Sequence, residues 1–275
     1  VMGPALSYLR ANPPVKTYSA GVTMLLLAEL EGGADDPLAQ ETLEKIIDWE
    51  RSNPRGAWGY PNGRIDLSNV QFAALGLWAA NRMGLDVPLG LCQRVVVTTV
   101  ERFLQEPREA SAALKEAESR EGRSKAGETM VAGFTYEMGG GEARGSMTVA
   151  GIAVNRIMER IHGRRLGRKA VNLMRSAERH ALGWLEENLS FTQNPGAGGW
   201  PLYYLWGVER MAAFMEIDLL FGRDWYQEGA RHLLGKQKAD GGWSNNLHDT
   251  CFALLFLARA TQGGRVSSGD LGGLA

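Results

Sequence analysis

The sequence is poor in the residues that cross-link chains and hold metal clusters. Its 275 residues include two cysteines, Cys92 and Cys251, and four histidines. That is too few for a disulfide framework, and it leaves the redox compartment open. Long apolar runs are also missing: the longest, around Ala20–Leu30 and Val70–Ala80, fall short of the ~18–20 residues a membrane span needs. No basic-then-apolar leader is legible at the amino end. Neither sign of charge dominates, with 30 Lys and Arg against 31 Asp and Glu. A near-neutral chain argues against nucleic acid as the partner, because phosphate contacts need clustered basic surface.

What the chain has instead is 35 glycines and eight tryptophans, and they recur in a pattern. Gly56-Ala57-Trp58, Ala132-Gly133-Phe134, Gly198-Gly199-Trp200 and Gly241-Gly242-Trp243 each set an aromatic residue after glycine. Helical periodicity precedes three of these turns, at Leu43–Arg51, Ala177–Leu189 and Tyr226–Lys236. A second helical stretch follows each turn, at Asp66–Asn81, Met147–Ile161, Tyr203–Leu219 and Asp249–Ala260, and Thr17–Leu30 has the same texture. The repeating unit is an outer helix, a glycine-aromatic turn and an inner helix.

The two helix types differ in composition. Outer stretches alternate charged and apolar residues at 3.6 spacing, so one face meets water, whereas the inner ones are apolar nearly all round, as a helix buried between layers must be. The spacing predicts an all-α fold, an α/α toroid of about ten helices, five inner and five outer. A closed ring of six hairpins would need about two more, so an incomplete ring is expected. The toroid domain is placed at residues 1–262. Residues 106–130 carry six acidic and five basic side chains and read as a charged, mobile surface insertion. Residues 263–275 read as a flexible tail.

Gln237-Lys238-Ala239-Asp240-Gly241-Gly242-Trp243 fits Gln-x-x-x-Gly-x-Trp, the repeat signature of squalene and hopene cyclases; Gln193 to Trp200 fits with one extra residue. The chain as a whole resembles the prenyltransferase and squalene-hopene cyclase repeat superfamily. It is closest to cyclase-like toroid domains of bacterial proteins without an assigned reaction. The stretches Asp66-Leu67-Ser68-Asn69-Val70-Gln71-Phe72-Ala73, Gly145-Ser146-Met147-Thr148, Trp200-Pro201-Leu202-Tyr203-Tyr204-Leu205-Trp206-Gly207-Val208-Glu209-Arg210 and His248-Asp249-Thr250-Cys251 carry that likeness. It implies a soluble bacterial protein, of cytoplasm or periplasm, that binds or transforms a hydrophobic, isoprenoid-like molecule in a central cavity.

The family's two chemistries are not carried over intact. Class II cyclases use Asp-x-Asp-Asp-Thr to protonate an alkene or epoxide, where this chain reads Asn246-Leu247-His248-Asp249-Thr250. The proton-donor position is His248, and an imidazolium is a weaker acid than that step requires. Protein prenyltransferases hold zinc with Asp, Cys and His; here Asp66-Leu67-Ser68 puts serine in place of cysteine, and Asp249 stands where the histidine would. A serine hydroxyl is a poor zinc ligand, so no metal or other cofactor is expected.

The candidate catalytic groups are Asp249, His248, Asp66 and Glu209. Tyr203, Tyr204, Trp206, Ser68 and Asn69 are the candidate substrate-binding residues. Each has a plainer reading: Asp66, Ser68 and Asn69 suit helix N-capping, and Glu209 and Arg210, costly inside an apolar helix unless paired, suit an ion pair tying adjacent hairpins. The basic stretch Arg156–Arg175 leaves peripheral membrane contact open. The competing functions are a non-catalytic repeat scaffold, one module among other domains of a longer parent protein, and a carbohydrate-active α/α-barrel enzyme.

Overall fold

The computed structural model describes residues 2–30, 33–60, 63–120 and 129–262. The tail expected at 263–275 lies outside the described residues. Eleven α-helices are described: α1 Met2–Ala11, α2 Thr17–Glu29, α3 Pro37–Ser52, α4 Leu67–Arg82, α5 Leu89–Phe103, α6 Ala112–Arg120, α7 Gly145–His162, α8 Arg168–Asn188, α9 Pro201–Met215, α10 Trp225–Leu234 and α11 Leu247–Leu257. The strands are short and pair as three antiparallel ribbons: β1 Arg108–Glu109 with β2 Met130–Val131, β3 Thr135–Glu137 with β4 Gly140–Ala143, and β5 Leu219–Leu220 with β6 Arg223–Asp224. The protein is all-α in class. Among the described residues no helix is long and apolar enough to cross a membrane.

The five inner helices pack in chain order, α2 on α4, α4 on α7, α7 on α9 and α9 on α11. Behind them, α3 backs α2 and α4, α5 and α8 back α7, and α10 backs α9 and α11. Two layers result because α4 and α9 are buried on nearly every face, Gln71, Glu209 and Arg210 included, while the backing helices carry one apolar stripe. Phe72 of α4 and Trp206 of α9 also meet directly, ring centroids 5.8 Å apart, although α7 packs against both helices. The row of inner helices is therefore bent, with its aromatic side chains on the inside of the bend. Closest approach is at α2 and α4, where Gly21 lies against the Phe72 backbone.

The glycine-aromatic turns act as fasteners. Trp58 is 1 % exposed and its indole N–H donates to the Ile46 carbonyl at 2.7 Å. Trp243 does the same to Leu233 at 2.7 Å. In both cases the ring is tied to the helix that precedes the turn. Gln237 of the best-fitting copy donates its amide to the Gly241 carbonyl at 2.9 Å, and Gly241 adopts a φ of +84° that a side chain would oppose. The third copy departs: Trp200 is 60 % exposed and is itself in the left-handed region at φ 62°. Asn194 ties that turn instead, accepting from the Ser146 amide at 2.8 Å and donating to the Gly199 carbonyl at 3.1 Å. We expect Trp58→Phe to cost about 2 kcal/mol, from a lost hydrogen bond and a small void. Trp200→Phe should change stability by less than about 0.5 kcal/mol. Urea denaturation of the two variants checks the contrast, and equal losses would refute it.

Part of the charged insertion carries secondary structure. Its α6 packs on α8, and Ala110 and Leu114 are buried in the core. The charge is accommodated locally: Arg108 donates to Glu187 at 2.7 Å, and Lys115 pairs with Glu109 at 2.8 Å. Residues 121–128 of the insertion lie outside the described residues. In the basic stretch, Arg156 makes a bidentate pair with Glu178 at 2.6 Å on both bonds, and Arg160 pairs with Glu216. Arg164, Arg165, Arg168, Lys169 and Arg175 are exposed. Helix α9 stops at Met215 rather than continuing to Leu219, because Glu216 turns left-handed at φ 58° and Leu219 enters β5.

Candidate functional site

The amino-terminal half of α4 carries both a polar cap and an aromatic wall. Asp66 is the α4 N-cap and fully buried. Its carboxylate accepts from the Asn69 amide at 2.9 Å and from the Asn69 side chain at 3.2 and 3.3 Å, and it also accepts from the Ser68 hydroxyl. The Tyr18 hydroxyl of α2 donates in turn to Ser68, giving the chain Tyr18, Ser68, Asp66. Tyr60 stacks on Tyr18 with centroids 6.1 Å apart, and its hydroxyl lies 3.5 Å from that of Tyr136. Burial raises the Tyr18 and Tyr136 phenols well above the ordinary tyrosine value, so they act as neutral hydrogen-bonding groups at physiological pH.

Beyond this polar end, aromatic rings from four inner helices meet. Tyr18 packs on Phe72 at 4.2 Å, Phe72 on Trp206 at 5.8 Å, Trp206 on Phe252 at 5.1 Å, and Phe252 on Tyr203 at 5.3 Å between centroids. The Tyr203 hydroxyl donates to the Gln71 side-chain oxygen at 2.5 Å. These rings occupy one another's faces. Among the described residues two depressions lie elsewhere. One, of about 410 Å³, lies by Gly90, Gln93, Arg94, Val97 and Thr98. The other, of about 610 Å³, has Thr17, Trp49, Arg55, Trp58 and Tyr60 among its walls. That larger depression adjoins the cluster through Tyr60.

Arg210 is the anomaly of this region. It is 1 % exposed, and its Cζ lies 3.4 Å from the centroid of the Trp206 ring. None of its three nitrogens makes a well-formed hydrogen bond, although the Tyr203 hydroxyl beside it acts on the guanidinium. Burial pushes the guanidinium down to about 10, which still leaves it charged at neutral pH. A desolvated cation-π contact contributes about 2 kcal/mol, whereas an uncompensated buried ion costs several. The Trp206 stack does not offset that cost. Gln71 has an amide nitrogen that is likewise buried and without a partner.

The structure separates the four candidate catalytic residues. Asp66 reaches the aromatic cluster through Ser68 and Tyr18. Glu209, fully buried on α9, faces the turn Ala260–Gln262 and accepts from the Thr261 amide at 3.0 Å and hydroxyl at 2.7 Å. Burial raises it to about 7 despite those two bonds. His248 is exposed and its ring lies 2.7 Å from the Asn246 side-chain oxygen. Asp249, in the first turn of α11, is half-buried, and Asn246 rather than Asp249 caps that helix. Neither Glu209 nor Arg210 forms the ion pair expected of it.

Of the candidate binding residues, Tyr203 and Trp206 stand in the aromatic cluster and Ser68 and Asn69 in the polar cap. Tyr204, one position on, turns away toward Gly145 at the start of α7. Sequence patterning does not single out Tyr18, Tyr60, Gln71, Phe72 or Phe252. A lone glutamine inside an apolar helix is the one available signal. Among the described residues no three His, Cys, Asp or Glu side chains are disposed to hold a metal ion. Cys92 is buried, which pushes its thiol up to about 12, and Cys251 is exposed. Comparison with family models, with curated proteins and with solved structures finds no match to this chain.

Proposed function

We propose that this chain is a toroid-type helical-repeat domain, of the terpenoid-cyclase kind, that binds a hydrophobic, isoprenoid-like molecule among its inner helices. The observation that carries the reading is the meeting of Tyr18, Phe72, Tyr203, Trp206 and Phe252, from four inner helices, around a buried polar residue set. Rings supply large apolar contact area with electron-rich faces, which suits an unsaturated chain. Binding requires these rings to part, and the depression beside Tyr60 supplies the nearest approach from solvent. Should the ligand also be transformed, Asp66 with Ser68 and Tyr18 is the group in reach of it. The other three candidates belong to separate surroundings.

The test is retention and titration. The purified chain is extracted and the extract searched for polyprenyl compounds by mass spectrometry, then titrated with polyprenyl alcohols while tryptophan emission is followed. Binding should be saturable, and Trp206→Leu should weaken it by about 10-fold or more, the worth of a buried aromatic contact. A second reading, a non-catalytic repeat scaffold, is favoured by the self-packing of the rings and by the exposed apolar side chains of Val22 on α2 and of Leu247 and Leu254 on α11. A chain that neither retains nor binds any member of the series is that scaffold.

A further inference from the structure

The interior around Tyr203 has donors without acceptors. Arg210 brings five N–H groups, and none of its nitrogens makes a well-formed hydrogen bond. The Tyr203 hydroxyl beside it interacts with the guanidinium but can accept from only a fraction of those donors. Gln71 brings an amide nitrogen with no partner. The two residues flank the same phenol: Tyr203 donates to Gln71, and its ring centroid is 5.9 Å from the Arg210 Cζ. Glu209, next in the chain, does not resolve the deficit: it faces Thr261 and makes no hydrogen bond to Arg210. Asp66 is engaged by Ser68 and Asn69. Buried polar groups in native proteins are hydrogen-bonded as a rule, so a cluster of orphan donors marks a place where an acceptor belongs.

We propose that Arg210 and Gln71 receive the carboxylate head of an amphiphilic ligand whose apolar tail lies among the inner-helix rings. This rests on the hydrophobic-ligand reading above and adds the head group to it. A guanidinium offers two parallel N–H groups that match the two oxygens of a carboxylate. One buried cation balances one negative charge. A diphosphate, carrying two or more, would leave charge uncompensated in an apolar interior, and an alcohol would leave the guanidinium unpaired. Tyr18, which stacks on Tyr60 at the edge of that depression, also acts electrostatically on Arg210.

The experiment compares three ligands with one tail, farnesoic acid, farnesol and farnesyl diphosphate, below their micelle concentrations, on the full 275-residue chain. Palmitic acid is added as a second tail. Farnesoate should bind about 10- to 100-fold more tightly than farnesol, the range that charge-assisted hydrogen bonds supply. Arg210→Met should abolish that preference, and the unliganded variant should melt no lower than the parent. If Arg210→Met does not fold, Gln71→Met serves in its place, with the preference for acid over alcohol reduced. Equal binding of acid and alcohol, tightest binding of the diphosphate, or an acid preference that survives Arg210→Met overturns the head-group assignment and leaves the hydrophobic-ligand reading standing. Failure of all four compounds overturns both. Palmitate binding as well as farnesoate supports the carboxylate site and removes the isoprenoid character of the tail.

Discussion

Gly21→Ala should destabilise the protein by about 3 kcal/mol or more, at the upper end of what a single added methyl costs a packed core. A Cβ placed on Gly21 would lie 2.2 Å from the Phe72 carbonyl oxygen, 2.9 Å from its carbonyl carbon and 3.3 Å from its Cα. All three are backbone atoms in the interior of α4, so no rotamer change relieves the overlap. Either α2 and α4 separate along their length or the helix deforms locally. Gly76 faces the same crossing, with its own Cβ position 3.2 Å from the Gly21 Cα. Separation opens a gap around Met24 and Ile46, both fully buried, and close packing of such side chains is lost steeply with distance. Phe72 would also carry the displacement to Tyr18 and Trp206, the rings stacked on it. Gly3→Ala is the control, because nothing lies within 4 Å of its Cβ position and alanine is the better helix former. Urea denaturation followed by helical circular dichroism reads both. A Gly21→Ala protein as stable as the control would show that α2 and α4 do not pack as closely as described.

The helices that meet at this crossing are legible in the sequence, whereas the contact between them is not. All-round apolarity marks α2, α4 and α9 as inner helices, and alternating charge marks α3, α8 and α10 as outer ones; α11 is equally apolar, yet only Ala253 and Phe256 of it are buried. Both are local periodicities, set by which faces meet water. The glycine-tryptophan turns are legible for the same reason, since Gln237, Gly241 and Trp243 act within one turn. What brings Tyr18, Tyr60, Tyr136 and Tyr203 together is tertiary, with no spacing in the chain to announce it. Trp200 shows the limit from the other side: the motif is there, yet Pro201 opens α9 and turns the indole outward, while Asn194 does the fastening. Glu209 and Arg210 stand out in the sequence by the cost of charge in an apolar helix, and both are indeed buried. The ion pair that this cost suggests does not form. Neighbours on a helix point to different faces, so Glu209 reaches Thr261, 52 residues along, and Arg210 lies over Trp206.

That separation makes Glu209 the source of the second large effect, a fall in stability as pH rises from about 5 to 8. The carboxylate is fully buried. Desolvation raises it from 4.5 to about 7, outweighing the Thr261 bonds, which act in the lowering direction. Between those two values the folded protein holds a proton that the unfolded chain has released, so stability declines with pH across the window. At about 1.36 kcal/mol per pH unit, the loss amounts to about 3 kcal/mol once the window is crossed. Glu209→Gln removes the titration but keeps the contact, since an amide still accepts from the Thr261 amide and the threonine hydroxyl can rotate to accept from the new N–H. The variant should therefore lack this component of the pH dependence and exceed the parent at pH 8, with near parity at pH 5. His180 and His232, both lowered by burial, titrate in both proteins and cancel in the difference. Denaturation midpoints measured for the pair at pH 5, 6, 7 and 8 give that difference directly. Parallel profiles would mean that Glu209 is ionised in the folded protein throughout, held so by Thr261 and by Arg259 and Arg210, whose charges act on it in that direction.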